Sequence, residues 1–421
     1  MASFTPYRIH HINLASDGFP LRFDLNFGHY LVFWWQSIPL GQLFVSPGSK
    51  GSKDDSVNRY LNSIWPAIQF YSEQSEPKML SMQRPADEKG MKDLCIHLFE
   101  KRLSDPMPSS CPVSVLICTR DRPDYLENCL SFIMDQQCKP AEIIVVDNAS
   151  KDGRTKQVAL RFSNVLYVRE DRPGLDIARN TGARLARQAI IAYTDDDTKP
   201  EPEWVYQVFK TFDDQKVSAM TGLVIAAVLD SEAQMIFEKH WPFNRGYVDK
   251  HYNQEFFQHT LHAGTPVWDL GAGANMAFRK NTLEKVGYFD ERLDVGAAGC
   301  SGDSELWYRI LANGYAIHYN PRAVVHHFHR ESMDGLHKQL YAYMRGFTVA
   351  ILIQYHRFRH KGNLRHLFFN TPKYYTYLLL RGFPRYRFRF RTLLSEIRGI
   401  ISGLFYYWKH KNTDPKIFVD K

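Results

Sequence analysis

The sequence predicts an α/β protein whose central domain is a mostly parallel sheet covered by helices on both faces. From Cys111 onward, short apolar segments alternate with amphipathic helical segments. This alternation is typical of βαβ units, in which each crossover helix packs on the sheet. The flanking segments have other patterns. We therefore predict an N-terminal α+β accessory domain over 1–109, the α/β domain over 110–330 and a helical C-terminal region over 331–421.

The individual elements follow in chain order. In the accessory domain, residues 29–45 predict a hairpin, and helical stretches follow around Tyr60–Tyr71 and Lys92–Leu103. No motif there indicates a role. In the central domain the predicted elements are strand VSVLICT, helix YLENCLSFIMDQ, strand EIIVVD, a helix near Arg154–Phe162, strand VLYVR, helix LDIARNTGARLARQ and strand IIAYTD.

Composition excludes a disordered chain, since 44% of the 421 residues are hydrophobic and 14% are aromatic. We see neither a secretion signal at the N-terminus nor an uninterrupted run of about 18 apolar residues, so we expect no secretion by that route and no membrane span. The six cysteines form no C-x-x-C pair. We expect them to be buried thiols of a cytoplasmic protein.

Polar residues follow three predicted strands at the point where each strand ends. Arg120 and Asp121 follow the first, Asp147 and Asn148 the second, and Asp195–Asp197 the third. Ligands of parallel sheets bind beyond the carboxyl ends of the strands. Each group alone is an ordinary turn, but three at one edge favour a site for a polar ligand.

The three consecutive aspartates, Asp195–Asp197, favour a divalent metal. Neighbouring carboxylates raise one another's pKa unless a cation or hydrogen-bond donors compensate them. Mg²⁺ and Mn²⁺ prefer oxygen ligands and keep positions for substrate phosphates. A metal–diphosphate site is therefore predicted, with a solvated acidic turn as the alternative.

Four later segments supply further candidates. Arg179 projects from the start of the helix after Pro173 and Gly174, where it could meet a diphosphate or only pair with Asp176. Asp303 precedes a helix and is either a cap or a general base. Two more segments are the glycine-rich turn WDLGAGANMAFRK and the histidines of AVVHHFH, at positions 326, 327 and 329.

Taken in order, these segments resemble family 2 glycosyltransferases of the GT-A fold, whose sheet is Rossmann-like and binds nucleotide-diphosphate sugars. The resemblance covers about residues 112–330. It rests on PVSVLICTRDRPDYLENCLSFIMDQ, EIIVVDNASKDG, GLDIARNTG, YTDDD, GANMAFRK and GDSELWYRIL.

The resemblance implies a role for each matching position. Asp303 is the implied catalytic base, although the family's base usually follows a glutamate and Gly302 precedes it here. The metal ligands implied are Asp195, Asp197 and His326, with His327 and His329 as further candidates. The donor-binding and sugar-pocket residues implied are Thr119, Arg120, Asp121, Asp147, Arg179, Asp195, Asp196, Gly273, Ala274 and Asn275.

The implied activity is an inverting transfer of a sugar from a UDP-, dTDP- or GDP-sugar to a hydroxyl of a glycan or lipid-linked acceptor, assisted by Mn²⁺ or Mg²⁺. Two alternatives remain. A nucleotidyltransferase acting on sugar phosphates also uses metal-binding carboxylates, although TRDRPDYLEN lacks the glycines of its usual loop. A catalytically silent glycan-binding scaffold could retain the fold.

The C-terminal region carries the basic charge of the chain. Residues 335–421 hold 17 Lys and Arg against 3 Asp and Glu, a net charge of +14, which leaves −6 for residues 1–334 out of the total of +8. Interleaved basic and aromatic residues suit peripheral contact with the inner face of a membrane, or a packed extension with a solvated basic face. The acidic body argues against nucleic acid as a partner.

Overall fold

The computed structural model describes residues 4–20, 23–49, 53–74, 83–103 and 106–414. At the N-terminus a three-stranded sheet has the order β1-β2-β3. Its strands are β1 (Tyr7–Asn13), β2 (Gly28–Trp35) and β3 (Ile38–Val45), followed by helices α1 (Lys53–Glu73) and α2 (Glu88–Leu103). The predicted hairpin is β2 and β3, which pair antiparallel, and both predicted helices are present. Strand β1, which pairs parallel with β2, was not predicted.

The central sheet has nine strands, in the order β10-β12-β9-β11-β7-β4-β5-β6, with β8 paired to β12. Strands β4 to β7 are parallel neighbours, as predicted, and β11 enters antiparallel between β7 and β9. The strands are β4 (Ser110–Thr119), β5 (Lys139–Asn148), β6 (Val165–Glu170), β7 (Ile190–Asp195), β8 (Thr198–Pro200), β9 (Val217–Ala226), β10 (Lys250–Tyr252), β11 (Asn275–Arg279) and β12 (Ala316–His327).

Helices cover both faces of this sheet, which confirms the predicted fold class. They are α3 (Pro123–Met134), α4 (Arg154–Ala159), α5 (Leu175–Leu185), α6 (Trp204–Thr211), α7 (Glu232–His240), α8 (Gln254–Leu261), α9 (Lys280–Val286) and α10 (Gly302–Ala312). Successive residues of β4 enter different cores, with Val115 in one and Leu116 in the other. A Cβ on Gly182 would lie 2.3 Å from the Leu116 side chain, so this glycine lets α5 pack closely on β4.

The C-terminal region is helical, as predicted. It contains α11 (Met333–Phe358), α12 (Lys361–Arg365), a π-helical turn (His366–Asn370), α13 (Thr371–Gly382), a 3₁₀ turn (Phe388–Thr392) and α14 (Leu393–His410). Gly399 and Gly403 let α14 approach α11, since a Cβ at either would lie within 2.7 Å of an α11 carbonyl oxygen. Within the described ranges, we find no helix with the length and apolarity needed to span a membrane.

The cysteines differ from the prediction. A disulfide joins Cys111 in β4 to Cys138, immediately before β5, while the other four cysteines are free. The prediction of six thiols is therefore wrong for this pair. Cysteine spacing gave no sign of the bond because the two residues meet only when β4 and β5 pair. The cysteines consequently no longer argue for a reducing compartment.

Candidate active site

A cavity of about 1260 Å³ lies beyond the carboxyl ends of β4 and β7. One part of its wall comes from these strand ends and from α5. The other parts come from the segment after α7, the loops before β11 and α10, α11 and residues 366–375. Ligand pockets are typically about 300–1,000 Å³, so this cavity has room for more than one small substrate.

The three aspartates line this cavity, and each is held by different partners. Asp196 accepts hydrogen bonds from the Thr119 hydroxyl at 2.7 Å and from Arg122 Nη1 at 3.1 Å. The same Arg122 nitrogen donates to Asp197 at 3.0 Å. Asp195 lies 3.6 Å from Arg179 Nη2. The carboxylates tolerate one another because two guanidinium groups lie among them.

His327 is the histidine that the structure places beside the aspartates, with Nε2 3.4 Å from Asp197 Oδ1. Strand β8 pairs antiparallel with β12 so that His327 lies opposite Thr198, the residue after Asp197. Since neighbouring strand residues point to opposite faces, the predicted ligand His326 points away. Its Nε2 lies 2.6 Å from Glu201.

Charge and burial shift the pKa values in this group in different directions. Burial, followed by the charge of Asp197, raises the pKa of Asp196. Burial would also raise the pKa of Asp197, but His327 and Arg122 outweigh it and hold that pKa well below its usual range. Burial lowers the pKa of His327, and Asp197 more than offsets this, so the pKa of the imidazole is raised.

Asp195, Asp197 and His327 are suitable ligands for a divalent cation. Each offers one ligand atom, and the three atoms lie within 4.8 Å of one another. Two carboxylate oxygens and an imidazole nitrogen suit a first-row ion such as Mn²⁺. The third candidate, His329, is buried, with Nε2 2.9 Å from Glu238 and Nδ1 3.2 Å from His327 Nδ1, so it contacts the group only through His327.

Asp303 lies in another part of the same cavity wall, close to Arg179. It is in the first turn of α10, where its Oδ1 accepts from the Ser304 amide at 2.7 Å. A Cβ on Gly273 would lie 3.0 Å from Asp303 Oδ2 and 2.9 Å from Arg179 Nη2. The predicted glycine turn therefore leaves space between these two side chains.

Arg179 makes the structural contact that the sequence allowed and also faces the cavity. It donates to Asp176 at 3.1 Å, the structural alternative, and it also lines the cavity within reach of Asp195. Its side chain is only 8% exposed. We conclude that Arg179 is a fixed positive charge in the wall of the cavity.

Three predicted site residues do not line the cavity and bind other parts of the protein instead. Asn275 is fully buried, donates to the carbonyls of Leu223 and Ala323 and accepts from Trp204, so it holds β11 in the sheet.

Asp147 is also fully buried and accepts from Tyr167 at 2.7 Å and from Arg169 at 3.3 Å. Asp121, with a positive φ of 55°, accepts from the Lys151 amide. By contrast Thr119, Arg120, Gly273 and Ala274 line the cavity.

Sequence reasoning missed several lining residues. Arg122 follows β4 by three residues, and its charge next to Arg120 and Asp121 was the available signal. The aromatic lining was not predicted either. The aromatic side chains of the lining are Trp241, Phe243, Trp268, Tyr343, Phe347, Tyr374 and Tyr375.

Residues 114–287 match the family model described as Glycosyl transferase family 2. This match confirms the resemblance to family 2 glycosyltransferases seen in the sequence.

Two curated relatives illustrate the similarity. Glycosyltransferase AglE of Haloferax volcanii is 27% identical over 241 residues, which are 55% of this chain and 72% of the relative. Hyaluronan synthase of Pasteurella multocida is 28% identical over 240 residues, or 51% of this chain and only 24% of that protein.

Among solved structures, a mannosyltransferase from Pyrobaculum calidifontis in complex with GDP-Man and Mn²⁺ has 19% sequence identity and a TM-score of 0.43. The match covers 75% of this chain and 95% of that one.

Proposed function

We propose that this glycosyltransferase is inverting and transfers a sugar from a UDP-, dTDP- or GDP-sugar to an acceptor hydroxyl. The observation that carries the proposal is that Asp195, Asp197, His327 and Asp303 all line one cavity at the end of the sheet. A metal-ligating group and a separate carboxylate beside one space suit displacement of a nucleotide diphosphate by a hydroxyl.

In this proposal the chemistry belongs to a domain over 110–330, with 1–109 as an accessory domain. The nucleoside lies against Thr119 and Arg120, and Arg179 offers fixed positive charge to the diphosphate. Asp147 and Asp121 support this part of the site through the neighbours that they bind rather than by direct contact. Asn275 does the same from within the sheet.

Asp195, Asp197 and His327 would hold a divalent cation, either Mn²⁺ or Mg²⁺. When bound, such a cation offsets the negative charge that develops on the departing diphosphate. The protein's own contribution is to keep the ligands together, since the pairing of β8 with β12 fixes His327 beside Asp197.

Asp303 acts as the general base. Its carboxylate accepts the proton of the acceptor hydroxyl while the oxygen forms a bond to the anomeric carbon. The bond from that carbon to the diphosphate oxygen breaks on the opposite face, so the configuration inverts. The Ser304 amide orients Asp303 through one oxygen, and the other faces the space that Gly273 leaves open.

The testing experiment is a donor screen. Purified protein is incubated with UDP-, GDP- and dTDP-sugars, Mn²⁺ or Mg²⁺ and a panel of glycan and lipid-linked acceptors, and nucleoside diphosphate release and the anomeric configuration of the product are measured. We expect diphosphate release with one donor class and an inverted product. A response that depends on pyrophosphate would indicate the nucleotidyltransferase instead, and no release from any donor would favour the scaffold.

The exposed face of α14 supports peripheral membrane contact as part of this proposal. Leu394, Ile401, Phe405 and Trp408 recur at helical spacing and are 49% to 73% exposed, with Arg398 among them. Helices with exposed apolar side chains among basic residues bind anionic bilayers.

Vesicle co-sedimentation tests this contact. The double variant Phe405→Ser, Trp408→Ser should lose binding to vesicles that contain anionic lipid. Leu160→Ser, which changes an equally exposed leucine of the central domain, should keep it. Equal sedimentation of both variants would contradict the contact.

A further inference from the structure

Arg122 occupies the position of a counterion among the aspartates. A single nitrogen, Nη1, donates both to Asp196 Oδ1 at 3.1 Å and to Asp197 Oδ2 at 3.0 Å. Asp197 is also one of the three groups that could hold a metal ion. One carboxylate therefore serves both a guanidinium and the proposed cation site.

The surroundings of Arg122 allow it to move, unlike those of Arg179. The Arg122 side chain is 32% exposed, lines the cavity and extends from the residue before α3. Arg179 is 8% exposed, held by Asp176 and packed over the ring of Phe289 at 5.4 Å. Arg122 also lies over a ring, that of Tyr125 at 6.0 Å, but its greater exposure leaves it less tightly held than Arg179.

We propose that Arg122 is an exchangeable counterion, which pairs with Asp196 and Asp197 before a divalent cation binds and with the donor diphosphate afterwards. This inference rests on the proposed function. A divalent cation on Asp197 would repel the guanidinium, because like charges close together in a partly desolvated site interact strongly. The planar guanidinium fits the oxygens of a diphosphate, which arrives in the same cavity.

The exchange has two consequences of opposite sign. Removal of the guanidinium takes away a competitor for the carboxylates, so the donor-free protein should bind Mn²⁺ more tightly. The same change removes a partner of the diphosphate, so nucleoside diphosphate should bind more weakly when Mn²⁺ is saturating. A residue that only stabilised the loop would weaken both, and one that only held the aspartates in place would weaken Mn²⁺ binding.

The experiment compares wild type, Arg122→Ala and Arg122→Lys, with Arg161→Ala as the control. Arg161 is an exposed arginine in an ion pair with Glu127, outside the cavity lining. Free Mn²⁺ is titrated by electron paramagnetic resonance without nucleotide, and UDP and GDP are then titrated by calorimetry at saturating Mn²⁺. Circular dichroism checks that each variant is folded.

For Arg122→Ala we expect Mn²⁺ binding about tenfold tighter and diphosphate binding about tenfold weaker, within the range usual for coupling between two ligands. Arg122→Lys should lie between Arg122→Ala and wild type, and Arg161→Ala should match wild type. Unchanged or weaker Mn²⁺ binding in folded Arg122→Ala would overturn the inference.

Failure of the proposed function would be seen separately. In that case wild type would bind Mn²⁺, and Asp197→Ala would bind it equally tightly. If wild type binds no Mn²⁺, gain of binding in Arg122→Ala would support the exchange, and absence of binding in both would refute it.

Discussion

Two parts of the cavity wall differ in their chemistry and in the segments of the chain that form them. The donor end, our name for the part that we propose binds the donor, consists of Thr119, Arg122, Arg179 and Asp195–Asp197, which are charged or hydroxyl groups near strand ends and on α5. The acceptor end, our name for the part that we expect the acceptor to contact, consists of the aromatic side chains named above, which come mainly from loops, α11 and α13. The donor end lies wholly within the family match over 114–287, whereas Tyr343, Phe347, Tyr374 and Tyr375 lie outside it. We therefore expect the reaction class to depend on the part of the chain that matches the family, and acceptor choice to depend on the C-terminal region.

The largest expected effect is on the reaction itself. Asp303→Asn should lower transfer about 10³-fold, because a general base typically contributes about 10²–10⁴-fold. Nucleoside diphosphate binding with Mn²⁺ should remain, since Asp303 is not among the proposed metal ligands. Transfer assays and calorimetry on the same sample measure the two. Asp213→Asn, an exposed aspartate paired with Lys210, is the matched control; near-normal turnover in Asp303→Asn would exclude it as the base.

The next largest effect is on Mn²⁺ binding, and it distinguishes two neighbouring histidines, His326 and His327. His327→Gln should weaken Mn²⁺ binding on the order of 10- to 100-fold, the range for changes close to a bound metal. His326→Gln should leave it unchanged, because that side chain binds Glu201. Mn²⁺ titrations of both variants decide between them. A larger loss in His326→Gln would show that the strand register beside the aspartates is not the one described.

These two predictions separate what the sequence could show from what it could not. The donor end was predictable because apolar strands that end in polar residues place those residues at one sheet edge, and the fold followed from the same alternation. The choice between His326 and His327 could not be predicted, because it depends on the pairing of β8 with β12. The partners of Asp147 and Asn275 could not be predicted either, since contacts between residues far apart in the chain leave no local sequence pattern.

The acceptor end was unpredictable for another reason. Its rings come from segments far apart in the chain, from Trp241 to Tyr375, and no spacing within any one segment marks them as neighbours. Aromatic residues at such positions are equally typical of an ordinary core. The structure was needed to show that they share one cavity.

A smaller effect should appear at the acceptor end. Tyr374→Ala removes a half-exposed ring from the cavity wall. We expect the acceptor KM to rise about fivefold, since an aromatic contact is worth about 0.5–1.5 kcal/mol, while donor affinity is unchanged. Tyr377→Ala, one turn further along α13 and equally exposed, lies outside the cavity lining and is the control. A change in donor affinity for Tyr374→Ala would contradict the division into two ends.

The smallest effect on transfer is expected at a site in neither end. Buried Asp249 binds Arg322 at 2.7 Å and His318 at 2.8 Å, and Arg322 also donates to Tyr71 of α1. Burial opposes ionisation, but Arg322 and His318 lower the pKa of Asp249 to about 2. A depressed pKa contributes stability above the unfolded value, here 3.8, that is lost as pH falls towards 2.

Asp249→Asn should therefore lose about 2 kcal/mol of stability at pH 7 and leave donor binding intact at 25 °C. Urea unfolding between pH 7 and pH 3 measures the difference from wild type, which should shrink below about pH 4. A constant difference across that range would show that the carboxylate charge is not responsible.

The most direct test of the central claim is a calorimetric titration with UDP, GDP and dTDP, each with and without Mn²⁺, on wild type and Asp197→Ala. The claim is that the aspartates and His327 form a metal-dependent site for a nucleotide diphosphate. We predict that wild type binds one of the three nucleotides, that binding requires Mn²⁺ and that Asp197→Ala loses it. Nucleotide binding that is the same with and without Mn²⁺ in both proteins would contradict the claim.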